Sequence, residues 1–259
     1  MSKEIEEADK RLFDEIAENY VRKDLTPYCR IARKLRLDRT LKNTQQPIPS
    51  LLEVGCGGGF TADYLKGRYN AYTGVDYSEN LIAYAMRYNS SSKTRFVCKN
   101  INDFDSTEKF QIILMIGVLH HIPEPEKVLK HLMVRLEQKG VVVVNEPQKG
   151  NPIIGLLRKI RKKIDSKYSS DQVEFSEREL RAMFTKCGYK VRTFPQGILS
   201  TPLAETRLLP NIMGLPLAWL VQFIDPVLDI LFALPILRNL AWNIVVEARV
   251  SSSNMHNAI

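Results

Sequence analysis

Between Glu53 and Gly59 the chain reads Glu-Val-Gly-Cys-Gly-Gly-Gly, a glycine-rich turn between an apolar run and a segment of helical spacing. Such a turn lets the backbone bend sharply and brings main-chain N–H groups against a ligand with no side chain in the way. Gly55, Gly57 and Gly59 are the positions this use requires. Asp76 ends the next apolar run, where a carboxylate can accept two hydrogen bonds from ribose hydroxyls. Turn and carboxylate together describe a nucleoside site.

Further along, His120 and His121 follow a fourth apolar run and Glu146 follows a fifth. An imidazole that changes charge near neutral pH can take a proton from an acceptor, so His121, then Glu146 and His120, are the candidate bases. Histidines at such a turn can instead bond only to neighbouring backbone, and that alternative stays open. The four cysteines, Cys29, Cys56, Cys98 and Cys187, are scattered with no CxxC pair, so neither a disulfide framework nor a metal site is expected.

The elements that must position these groups alternate. Lys3 to Leu41 has helical spacing, and Asn43 to Ser50 reads as a linker. Strands are expected at Leu51–Val54, Ala71–Val75, Thr94–Cys98, Phe110–Ile116, Val141–Val144, Tyr189–Phe194 and Trp242–Val250. Helices are expected at Phe60–Gly67, Glu79–Tyr88, Pro125–Leu136 and Ser176–Cys187, the last opened by a capping box of Ser176 and Glu179. This order predicts an α/β fold with a largely parallel sheet covered on both faces and a ligand at the carboxyl ends of its strands.

Three motifs resemble class I S-adenosylmethionine-dependent methyltransferases, particularly those of ubiquinone and menaquinone biosynthesis: Leu51–Gly59, Gly74-Val-Asp-Tyr-Ser78 and Val118-Leu-His-His-Ile-Pro123. The resemblance runs from about Phe13 to Pro147. It implies a Rossmann-like, doubly wound, seven-stranded sheet with its last strand antiparallel and N-terminal cap helices; the residues from Leu203 to Leu240 add an apolar helical insertion before the last strand. It also implies S-adenosylmethionine as cofactor and S-adenosylhomocysteine as product. Glu53, Gly55, Cys56, Gly57 and Gly59 would face the methionine moiety, Asp76 the ribose and Tyr77 the adenine face. Asn100 and Ile101 would meet the adenine edge, with Asn100 where the family often has an acidic residue. Met115, Ile116 and Gly117 would line the sulfonium, and Tyr20 would close over the cofactor. The family's aspartate just inside the fourth strand is absent, replaced by Phe110-Gln111, which keeps a cofactor-binding, non-catalytic homologue in play. A nicotinamide dehydrogenase is disfavoured, because Phe60 stands where a dinucleotide turn needs its third glycine.

The chain has 259 residues, 44% hydrophobic, with a formal net charge of +8. Its expected division is an N-terminal cap (1–45), a cofactor-binding core (46–150), a basic amphipathic insertion (151–172), a core continuation (173–196), an apolar lid or membrane-facing insertion (197–240), and the last strand and tail (241–259). Ile153 to Ile164 alternates an apolar stripe with Arg158, Lys159, Arg161, Lys162 and Lys163, and Leu203 to Leu240 is apolar and proline-punctuated. Together they suggest a small lipophilic acceptor (a quinone precursor, a lipid or a lipid-linked sugar) taken at an anionic membrane surface. An apolar lid over a soluble acceptor is the alternative, and RNA methylation is a third class. No run reaches the roughly 20 apolar residues of a membrane span, and the acidic N-terminus does not read as a secretory signal. A cytoplasmic enzyme, peripheral on the inner membrane face, is expected; its oligomeric state is open.

Overall fold

All seven expected strands form in one sheet in the computed structural model, which describes residues 2–149, 151, 175–197 and 211–251. They are β1 (Ile48–Val54), β2 (Tyr69–Asp76), β3 (Thr94–Cys98), β4 (Phe110–Ile116), β5 (Leu136–Pro147), β6 (Tyr189–Gln196) and β7 (Asn243–Val250). Their order is β3-β2-β1-β4-β5-β7-β6, and β7 runs antiparallel to both its neighbours. The helices are α1 (Ser2–Asp24), α2 (Pro27–Thr40), α3 (Phe60–Tyr64), α4 (Glu79–Tyr88), α5 (Pro125–Met133), α6 (Glu177–Lys186) and α7 (Asn211–Phe232).

Strand side chains alternate between faces, and here both faces are buried. Leu52, Val54, Ile113, Met115, Val142 and Val144 point into a core with Val128, Leu129 and Leu132 of α5 and Leu180 and Phe184 of α6. Leu51, Ile112, Leu114, Val141 and Val143 point the other way, against Leu37 of α2 and Ile82 and Ala85 of α4. The result is the doubly wound α/β sheet expected, with its last strand antiparallel.

Local chemistry sets the helix starts. Thr26 caps α2 with Pro27 in its first turn, Ser78 caps α4, and Ser176 and Glu179 close a capping box at α6. Several boundaries differ from expectation, β5 among them, which extends over Leu136–Pro147. Ile48 to Ser50 belongs to β1 and not to a linker, because Ile48 is fully buried and its N–H meets Arg68 O at 2.8 Å. Pro49 is tolerated there because β4 joins β1 only from Leu51 onward. The helix from Phe60 stops at Tyr64, and α5 stops at Met133 because Leu136 already pairs with Phe110.

The apolar insertion contains α7, which lies against α2. Its two acidic residues, Asp225 and Asp229, are buried and face Arg39 of α2, with Arg39 Nε 2.9 Å from Asp229 and Nη1 3.0 Å from Asp225. Its outer face carries Trp219, Leu220, Phe223, Val227, Ile230 and Leu231, all exposed. Among the described residues no helix is long and apolar enough to cross a membrane. The basic stretch 153–164 and residues 203–210 lie outside the described residues.

Candidate active site

Parallel strands put their carboxyl ends on one edge of the sheet, so the glycine turn after β1, Asp76 at the end of β2, Gly117 after β4 and Glu146 near the end of β5 come together. A pocket opens there. Gly55, Asp76, Tyr77, Asn100 and Ile101 line it, as do Asp9, Lys99, Asn102 and His121, and its apolar walls are Val54, Val75, Val118 and Ile122.

The glycines of the turn divide into two uses. A Cβ on Gly59 would strike the Phe96 ring at 2.7 Å, and one on Gly55 would strike Val118 at 2.5 Å, so these positions are small for packing. A Cβ on Gly57 would meet only the Tyr20 ring, at 4.0 Å. Gly57 therefore exposes its main chain toward Tyr20, which is braced edge-on by Phe13 with centroids 6.1 Å apart.

Asp76 organises the turn. Its Oδ2 accepts the Gly57 N–H at 2.8 Å and its Oδ1 the Ser78 N–H at 2.9 Å. Burial raises its carboxyl above the usual range, and N–H donors from Ser78, Gly57 and Tyr77 oppose that rise. With three donors in place, about one acceptor position of the carboxylate remains for a ligand.

Glu53 lies beneath the turn, accepting from Thr61 Oγ1 at 2.8 Å and from the Tyr72 hydroxyl. Burial pushes its carboxyl up to about 7, against those two hydrogen bonds. The folded group holds its proton more tightly than the unfolded one, so its stabilising contribution is complete below the unfolded value and is lost as pH rises through about 7. Glu53→Gln removes this dependence. In denaturant titrations the wild type is expected to lose up to about 3 kcal/mol relative to the variant between pH 5 and pH 8.

α1 closes one side of the pocket through its carboxylates. Asp9 accepts the Tyr77 hydroxyl at 3.0 Å and faces His121 Nδ1 at 3.1 Å, while Asp14 accepts the Ser78 hydroxyl at 2.6 Å. The Phe13 ring packs edge-on against His121, 5.4 Å away.

The two histidines thus have different partners. His121 belongs to the clasp with α1, whereas His120 Nδ1 lies 2.6 Å from Glu146 Oε2, and Glu146 is fully buried.

The remaining expected residues differ in how far their side chains reach the pocket. Met115 is fully buried in the core, because alternation along β4 turns its side chain into the sheet's interior layer. Cys56 is buried, with Sγ where a Cβ on Gly74 would lie 2.8 Å away, so only its main chain can serve the turn. The Asn100 oxygen caps a short 3₁₀ turn by accepting the Asn102 N–H at 2.9 Å, which commits it locally. Ile116 packs against the second core, and Gly117 is flanked by His120 and Arg36.

Arg36 is the site residue that motif reading missed. Its guanidinium reaches from α2 to the Asn145 side-chain oxygen at 2.7 and 3.1 Å, and lies 4.0 Å from a Cβ position on Gly117. Thr40 and Gln196 fix Asn145 in turn, and all three are fully buried.

Comparison with known proteins agrees with this geometry. Residues 52–142 match the family model described as a methyltransferase domain. The ubiquinone biosynthesis O-methyltransferase of Coxiella burnetii is 30% identical over 93 residues, covering 35% of this chain and 40% of that protein. The enzyme of the same name from Glaesserella parasuis is 26% identical over 103 residues, covering 37% and 44%. The chain therefore spans about two fifths of the length of these curated relatives. The fold extends further. The structure of DhpI with S-adenosylhomocysteine superposes with a TM-score of 0.63 at 16% identity over 97% of this chain and all of that one. Magnesium protoporphyrin IX methyltransferase from Synechocystis, also with S-adenosylhomocysteine, gives 0.61 at 14% identity over 95% of this chain and 100% of that one. The resemblance read from the three motifs and the expected fold class are both borne out.

Proposed function

We propose that this chain is an S-adenosylmethionine-dependent methyltransferase, built on the methyltransferase domain at residues 52–142. The observation that carries the reading is the pocket in which Asp76, Tyr77 and the glycine turn meet at the carboxyl ends of β1 and β2. The residues present suit that cofactor. Gly57 presents no side chain to a ligand, Asp76 keeps acceptor capacity for a ribose hydroxyl, and Val54, Val75, Ile101 and Ile122 give the apolar walls a purine needs. Arg36, beside Gly117, would offer the carboxylate of the methionine moiety its positive charge and the N–H groups not spent on Asn145. Glu53 supports the turn from below, Tyr77 faces the purine, and Tyr20 covers Gly57. When bound, the cofactor supplies a sulfonium methyl group open to direct displacement.

The acceptor we favour is small and lipophilic, a quinone precursor, a lipid or a lipid-linked sugar, met at a membrane surface. α7 supports this reading. Its acidic residues turn inward to Arg39 while an uncharged apolar face, including Trp219, Phe223 and Ile230, turns outward. So much exposed apolar surface on one helix calls for a cover. The chain's net charge of +8 favours an anionic one. Sedimentation with vesicles of anionic phospholipid is expected to carry the wild type into the pellet and to leave Phe223→Asp/Ile230→Asp in the supernatant. Wild-type protein that stays wholly in the supernatant, or that dimerises through this face, contradicts the membrane reading. The transfer itself is tested by incubating the chain with methyl-labelled cofactor and separate lipid, RNA and small-molecule extracts. Label is expected in the lipid fraction; label confined to RNA overturns the acceptor class.

A further inference from the structure

We infer that Asp9, on the cap helix α1, selects the base of the cofactor: its open carboxylate oxygen accepts the exocyclic amino group of adenine. This rests on the methyl-transfer reading above and deepens it, assigning the site's base specificity to a helix outside the domain matched at residues 52–142.

The amino group of adenine offers N–H donors, so a site that selects it needs an acceptor at that edge. A donor buried there without one weakens binding. The loop after β3 supplies no side-chain acceptor through Asn100. Its amide oxygen has two lone pairs, and the Asn102 N–H at 2.9 Å and the Asn102 Nδ2 at 3.2 Å take both.

Two carboxylates line the pocket, Asp76 and Asp9. Asp76 is turned to the N–H groups of Gly57 and Ser78 and is read as the ribose acceptor. Asp9 is bound through one oxygen alone. Its Oδ2 accepts the Tyr77 hydroxyl at 3.0 Å and lies 3.1 Å from His121 Nδ1, so donors from the loops after β2 and β4 hold it across the pocket. Its Oδ1 takes no hydrogen bond from any described residue, which leaves acceptor positions open toward a ligand. The side chain is only 17% exposed, so its charge acts through a medium less screening than bulk water.

The rest of α1 fixes where that oxygen stands. Phe13, one turn beyond Asp9, packs edge-on against Tyr77 at 6.4 Å and His121 at 5.4 Å. Asp14 accepts the Ser78 hydroxyl at 2.6 Å and the Asn80 N–H at 3.3 Å. The Tyr77 side chain, read as a wall of the purine site, runs from the residue after Asp76 to Asp9. The two carboxylates therefore stand at its two ends, Asp76 at the ribose end and Asp9 at the base end.

Calorimetry with S-adenosylhomocysteine and with S-inosylhomocysteine, which carries an oxygen in place of the amino group, tests this. The wild type is expected to bind the amino ligand about ten- to a hundredfold more tightly, because an oxygen set against Asp9 has no hydrogen to give. Asp9→Asn keeps an oxygen for the Tyr77 hydroxyl but adds an N–H that suits the oxo ligand, and should bring the ratio to within about threefold of unity. Asp14→Asn loosens the same helix without lining the pocket, so it should weaken both ligands together and leave their ratio unchanged. Equal binding of the two ligands by the wild type overturns the inference, as does a wild-type ratio in Asp9→Asn or an equal fall of the ratio in Asp14→Asn. A preference that survives Asp9→Asn and disappears in Asn100→Ala or Asn102→Ala also overturns it, returning the amino group to the loop after β3. A wild type that binds neither ligand overturns the methyl-transfer reading as well.

Discussion

Asp76→Ala is expected to weaken binding of S-adenosylmethionine by about ten- to a hundredfold, measured by calorimetry on the folded variant. The carboxylate would accept from a ribose hydroxyl, and a hydrogen bond to a charged group contributes about 1.5–3 kcal/mol. Losing it therefore costs about one to two orders of magnitude in Kd. A second effect has the same sign. Asp76 also holds the Gly57 and Ser78 N–H groups, so its removal loosens the glycine turn before any ligand arrives. Asp76→Asn keeps an acceptor of the same shape and should recover part of the loss. A Kd within threefold of wild type for Asp76→Ala would remove the ribose role.

The largest effect on stability is expected at Arg39. This guanidinium is the buried counter-charge of both Asp225 and Asp229, and all three side chains are at most 10% exposed. A buried ion pair contributes little beyond what a hydrophobic replacement would give, but removing one partner strands a charge at a cost of about 3–5 kcal/mol. Arg39→Met strands two carboxylates. Burial already raises Asp229 above the usual carboxylate range despite Arg39 beside it, so losing the cation raises it further. The folded variant then binds protons that the unfolded chain releases. Its deficit is therefore smallest at acid pH and grows as pH rises. Denaturant unfolding at pH 5 and pH 8 should show this widening gap, and Asp225→Asn/Asp229→Asn in the Arg39→Met background should close most of it. An equal deficit at both pH values would mean that Arg39 acts through packing alone.

Local signals made much of the fold legible. Ile112–Ile116 of β4 and Val141–Val144 of β5 pack toward both faces of the sheet and so read as unbroken apolar runs, and Ser78 and Ser176 announced their helices by their caps. The glycine turn and Asp76 were legible because each does its work within a few residues of a strand end. What was not legible depends on partners far apart in sequence. Nothing in Leu-His-His says that one ring faces Asp9 and the other Glu146. Arg36 looked like one cation in a basic stretch, and only its approach to Asn145, 109 residues on, brings it to the site. The acidic residues of α7 sat in an apolar helix with no sign of direction until Arg39 fixed which face turns inward.

Titration calorimetry of the purified chain with S-adenosylhomocysteine, run beside NADH, addresses the cofactor assignment most directly. One-to-one, saturable binding of S-adenosylhomocysteine with no heat from NADH is the predicted result. Folded protein that binds the dinucleotide, or that binds no S-adenosylhomocysteine, would contradict it.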